Sequence, residues 1–228
     1  EATIERKVTT VVTAPKMLEG EGFEVRRAFA SVDLSLVDPF IMLDHLGAVE
    51  YSPGEAKGAP DHPHRGFETV TYMMDGALEH RDSNGGGGLI TDGATQWMTA
   101  GAGIVHSEMP TEQLVTKGGL FHGSQLWVNL PAAQKWSPPQ YQDLEADKVN
   151  LLASDDAGAV VRLIAGDLGD HVGPGSTRTP IVYAHASISA GARLQLPWSR
   201  ISTRWCMCSQ ATGVLGRIVG LSTKDSWQ

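Results

Sequence analysis

The chain has 228 residues, 41% of them apolar, with 26 glycines, 12 prolines and a formal net charge of −8. That apolar share can fill a core and excludes a disordered chain, while the acidic balance, with a pI near 5.4, excludes the basic stripe of a nucleic-acid surface. No apolar run approaches the roughly 18 residues of a membrane span, and there is no signal-peptide pattern, so a cytoplasmic protein with no membrane or direct nucleic-acid partner is expected.

In chain order, "ERKVTTVVTA" and "FEVRRAFA" alternate in polarity and predict two strands joined at the "EGEG" turn. "PFIMLDHLGAV" is a further apolar stretch, and "YSPGEAKGAPDHP" is a loop rich in glycine and proline. Five short strand candidates follow: "RGFETVTYMMDG", "GALEHRDS", "GGGGLITDGATQWMTAG", "GIVHSEMP" and "GSQLWVNLP". Strands this short, parted by Gly and Asp-Gly turns, predict an all-β barrel or jelly roll. "PPQYQDLEADKVNLL" reads as a connector with a helical turn in "QDLEADKV". A second β-rich stretch runs from "AVVRLIAGDLG" through "PIVYAHASISAGARLQLPW". The organisation expected is two consecutive β-domains, 1–135 and 136–228.

The chemistry concentrates in "DHPHRGFETVTY". His62 and His64 are two residues apart at the mouth of a strand, so their side chains share a face about 7 Å apart and can reach one point. "GIVHSEMP" repeats the spacing with His106 and Glu108. Two such pairs on adjacent strands bring three imidazoles and a carboxylate to a single site. That donor set suits Fe(II), Mn(II), Ni(II), Cu(II) or Zn(II) and leaves up to two positions of an octahedron for water, O2 or a chelating substrate.

These stretches, "DHPHRGFETVTYMMDGALEHRDSNG", "QWMTAGAGIVHSEMP" and "GSQLWVNLP", resemble the pirin family, a branch of the cupins, and the resemblance runs from about Lys7 to Arg200. It implies an all-β two-domain cupin of jelly-roll barrels, the first holding iron through His62, His64, His106 and Glu108. The cofactor implied is Fe(II), other divalent transition metals being alternatives. The activity implied is that of a quercetin 2,3-dioxygenase-like oxidoreductase acting on a small aromatic substrate. The family's other described role, an iron-dependent transcriptional coregulator, implies a protein partner instead, and a monomer is expected. Glu68 stands where many cupins place a ligand glutamate but pirins do not use one. It reads either as a support behind the ligands or as a pocket-facing group, and Glu108 or Glu68 would be the catalytic base.

His45, His80 and His122 lie outside that ligand set and read as structural, with His80, Arg81 and Asp82 as a hydrogen-bonded turn. His171 and His185 belong to a second domain with no His-x-His or His-x-Glu, expected to hold no metal. "GGGG" at 85–88 lacks the Lys-Ser/Thr of a phosphate loop and reads as a hairpin tip. Trp97, Trp127 and Trp136 read as packing residues.

Beyond "LQLPWSR" the family pattern stops, and "ISTRWCMCSQATGVLGRIVGLSTKDSWQ" carries both cysteines, Cys206 and Cys208, too close for an ordinary disulfide. Written as TCA ACG CGC TGG TGT ATG TGC TCA with a T before it, Ser202–Ser209 reads one base earlier as FNALVYVL, a strand typical of the family. Residues 201–228 are therefore expected to be out of frame and the second barrel incomplete.

Overall fold

The computed structural model describes residues 4–6, 10–196, 205–207 and 218–220, and among them strand dominates. The chain divides into two units, one of residues 12–146 and one of residues 1–11 with 147–228.

In the first unit, β2 (Lys16–Glu19) and β3 (Phe23–Arg27) form a hairpin, followed by β4 (Phe40–Tyr51), β5 (Ala59–His64), β6 (Phe67–Asp75), β7 (Leu78–Asp82), β8 (Gly87–Ile90), β9 (Thr95–Thr99), β10 (Ile104–Pro110), α1 (Glu112–Lys117), β11 (Gly119–Asn129) and β12 (Gln140–Leu144). Before them, β1 (Ile4–Arg6) pairs with β18 (Ile218–Gly220) in the other unit. The strand entering the "EGEG" turn is thus Lys16–Glu19, and residues 10–14 of the alternating run "ERKVTTVVTA" are not strand. The connector read in "PPQYQDLEADKVNLL" contributes β12, which pairs with β9 and lies in the first unit, while the expected helical turn is a short 3-10 turn at Ala146–Lys148.

Two sheets build this unit. Seven strands run in the order β12-β9-β6-β11-β4-β3-β2, and four in the order β5-β10-β7-β8. Because facing residues in an antiparallel ladder share a side, the register sorts every side chain. Thr69, Thr71 and Met73 of β6 align with Trp127, Gln125 and Gly123 of β11, and with Met98 and Gln96 of β9, on one face. Glu68, Val70 and Tyr72 align with Val128, Leu126 and Ser124 on the other.

The first face looks into the barrel, and its filling changes along the strands. Val25, Leu46, Met73, Leu78, Ile90, Ala94, Leu114 and Phe121 form a buried apolar plug. Burying a side chain of this kind contributes roughly 1.5–3 kcal/mol, so the plug holds the two sheets together at that end. Beyond it the interior turns polar at Thr71, Gln125, Glu108 and His80, all but Gln125 fully buried. The site is built on this transition.

The second unit contains β13 (Asn150–Ala153), β14 (Ala159–Ala165) and β17 (Tyr183–Ile188) as one sheet, with β15 (Asp167–Leu168) and β16 (His171–Val172) as a two-stranded ribbon. Leu152, Val161, Leu163 and Leu168 are its core. The reading-frame expectation for 201–228 falls almost wholly outside the described residues. No helix among the described residues is long and apolar enough to cross a membrane.

Candidate metal centre

Two paired strands carry the candidate ligands. His62 and His64 lie on β5, and β10 pairs with it so that His106 faces His62 and Ile104 faces His64. Ligand atoms of His62, His64 and His106 all lie within 4.8 Å of one another, and their ring centroids are 4.5–4.9 Å apart. Pro63 between the two histidines costs little here, since a proline is tolerated on a strand at the edge of its sheet, and β5 is the edge of the four-stranded sheet.

Burial holds His64 and His106 toward the neutral form, and a backbone carbonyl orients His62. Nδ1 of His62 bonds the carbonyl of Pro60 at 2.7 Å. A carbonyl only accepts, so that nitrogen carries the proton and Nε2 keeps its lone pair. Nε2 of His64 and both ring nitrogens of His106 are buried with no hydrogen-bond partner among the described residues. Burial, then His106 and His62, push the His64 pKa down to about 4 against the pull of Glu108, and burial likewise lowers that of His106. Buried nitrogens left bare, neutral and converging fit a divalent transition metal, whose binding needs deprotonated ligands.

Glu108 lies two residues past His106 on β10 and is not one of the three side chains whose ligand atoms come within 4.8 Å of one another. It is buried, and its Oε1 accepts from the Thr71 hydroxyl at 2.7 Å while Oε2 accepts from the Gln125 amide at 2.8 Å. Burial works to raise its pKa, but His106, Thr71 and Gln125 outweigh it and hold the group as a carboxylate. Each oxygen keeps a second lone pair that a metal could take. Asp44, the other buried carboxylate on this face, is neutralised by Arg27 through bonds of 2.9 and 2.6 Å.

Glu68 is a correction. It is buried and accepts from Thr99 at 2.7 Å, but the uninterrupted register of β6 puts it on the face opposite Thr69 and Thr71. The pleat turns a side chain three residues from Thr71 away from the barrel interior, so Glu68 cannot serve as the base there.

Several residues of the site carry no sequence signal. Thr71 and Gln125 are ordinary polar strand residues until the barrel closes. Trp127 lines the site, its ring 5.1 Å from His64 and 4.7 Å from Phe67. Trp97 packs on the other face, fully buried opposite Val70. Trp136 is 69% exposed, with the Arg65 guanidinium 4.0 Å over its ring. His80 belongs to β7 rather than to a turn, and the "GGGG" run extends past the hairpin tip into β8, with Gly88 opposite His80. His45 and His122 meet Nε2 to Nε2 at 2.9 Å on the other face, and Nδ1 of His122 bonds Asp75 at 3.2 Å.

The pirin family profile matches residues 22–128, the stretch that contains all four candidate ligands. A pirin-like protein of Caulobacter vibrioides is 40% identical over 194 residues, covering 84% of this chain and 68% of that one. The chain belongs to the pirin family. A pirin-like protein of Arabidopsis thaliana is 42% identical over 198 residues, 86% of this chain and 61% of its own length. Among solved structures, quercetin 2,3-dioxygenase from Acinetobacter baumannii superposes with a TM-score of 0.73 at 40% identity, covering 78% of this chain and 63% of that one. The chain thus spans about three-fifths of the length of the first relatives it matches. This pirin is a cupin-type all-β protein with a histidine cluster able to hold a metal.

Proposed function

We propose that this pirin is an Fe(II)-dependent dioxygenase acting on flavonol-like substrates, with His62, His64, His106 and Glu108 as the metal ligands. The observation that carries the reading is the set of three imidazoles whose ligand atoms lie within 4.8 Å of one another, two of them buried with ring nitrogens that have no hydrogen-bond partner among the described residues. The similarity to the A. baumannii quercetin 2,3-dioxygenase supports the substrate class.

When bound, the iron supplies Lewis acidity toward the substrate oxygens and an electron for O2. The protein's own part is positional. The Pro60 carbonyl fixes the tautomer of His62. Thr71 and Gln125 hold the Glu108 carboxylate from both sides, so it cannot rotate away without breaking two buried bonds. Phe67 and Trp127 form an apolar wall against His64 that excludes water from that side of the imidazoles. With Glu68 on the opposite face, Glu108 is the carboxylate placed to take a substrate hydroxyl proton.

Oxygen uptake by the iron-loaded protein with quercetin tests this reading. Stoichiometric iron with flavonol-dependent uptake is the expected result. Full iron content with no uptake from any flavonol would replace it with an iron-responsive protein-binding role.

A further inference from the structure

His80 is an imidazole that the ligand set leaves unused. It is 2% exposed, and neither Nδ1 nor Nε2 has a hydrogen-bond partner among the described residues. Leaving a buried polar group unsatisfied is costly, so packing alone would favour an apolar ring here.

Its placement is specific. In the β7–β10 ladder His80 stands directly across from Glu108, and two rungs along Asp82 stands across from His106. Facing Cβ atoms in such a ladder are about 4.5–5.5 Å apart on one face, so His80 projects into the barrel beside the carboxylate. Two residues earlier Leu78 belongs to the apolar plug, which makes His80 part of the floor between plug and ligands. The ring lies 5.1 Å from that of Tyr141 at a tilt of 34°. On its other side is Gly88, where a Cβ would come within 3.0 Å of Nε2. The glycine therefore leaves room for this ring.

Resting on the metal centre described above, we propose that His80 recognises the ligand: its imidazole hydrogen-bonds an oxygen of an ortho-dioxygen compound, a catecholate or enediolate, held at His62, His64, His106 and Glu108. Glu108 and the two groups that hold it cannot do this. Glu108 only accepts, and the Thr71 hydroxyl and Gln125 amide are committed to it. A neutral imidazole offers one donor and one acceptor, so His80 can give its N–H to an anionic ligand oxygen.

The test uses the protein loaded with Zn(II), which is diamagnetic and redox-inert, and titrated with 4-nitrocatechol by absorbance. His80→Phe keeps a ring against Tyr141 and removes both nitrogens, while His80→Gln restores a donor and an acceptor. Expected are unchanged zinc content in both, a Kd for the catechol about tenfold weaker in His80→Phe, equivalent to about 1.4 kcal/mol, and partial recovery in His80→Gln. In the wild type, the ¹⁵N resonances of the His80 ring should move when the catechol is added to the zinc form, a readout that survives even if a variant fails to fold. A wild-type Kd in zinc-replete His80→Phe, or unmoved His80 resonances, would overturn the proposal. So would loss of zinc from both variants, which would make His80 a support of the ligands. Wild-type protein binding the catechol no better with zinc than without it would instead sink the metal centre itself, and this proposal with it.

Discussion

Thr71 donates its hydroxyl to Oε1 of Glu108 across 2.7 Å, tying the middle of β6 to β10 through the barrel interior. The two residues are 37 apart in sequence and belong to different sheets. With Gln125 on the second oxygen, the bond decides where the only carboxylate of the candidate ligand set can point.

Removing either donor should therefore weaken the metal rather than the fold. Thr71→Val and Gln125→Leu are each expected to raise the Kd for Ni(II) or Zn(II) about 10–100-fold, the usual effect of losing a partner that orients a ligand. Thr71→Ser should stay close to wild type. Competition titration with a chromophoric chelator measures all three, and wild-type affinity in both single variants would show that Glu108 needs no such support.

Glu68 and the histidines should separate cleanly. Glu68→Gln is expected to keep full metal content, because its side chain leaves β6 on the face away from the cluster. It should lower stability by about 1–3 kcal/mol through the disturbed buried bond with Thr99. The double variant His62→Ala with His106→Ala should lose the metal. Metal analysis with urea unfolding reads both, and metal loss from Glu68→Gln would contradict the register.

Acid should weaken the fold through His45. Burial, then His122 and Arg26, lower its pKa from the ordinary 6.5 to about 4. Between those values the unfolded chain binds a proton that the folded chain does not, so stability is full above about pH 6.5 and falls as pH drops through the window. In chelator-treated protein, the urea midpoint should fall less between pH 7.5 and 5 in His45→Gln than in the wild type. Equal falls would mean that His45 does not titrate in this way.

The coding DNA should reveal a single-base slip near the codon for Ser202. Sequencing it, and restoring the frame, should convert Ser202–Ser209 to a strand-forming run and yield protein with a higher thermal midpoint. If no one-base correction produces such a run, residues 201–228 are a genuine tail.

The sequence by itself determined the strand periodicity, the β class and the three histidines. Each rests on spacing within one strand, where a period of two leaves no freedom about which side chains share a face. Thus "DHPH" and "IVHSE" announced His62, His64 and His106 as partners before any fold was known. The same rule, counted from Thr71, turns Glu68 away, but only the ladders of β6 with β9 and β11 reveal which face is inside. Thr71, Gln125, Trp127 and His80 were hidden for a related reason. Their roles depend on contacts between strands distant in the chain, and nothing local distinguishes a threonine that will meet Glu108 from one that will meet water. In sequence β12 reads as a connector because it is polar and short, and its pairing with β9 comes from a sheet edge that exists only once the barrel has closed. Local spacing chose the candidate ligands, and the register between distant strands chose the groups around them.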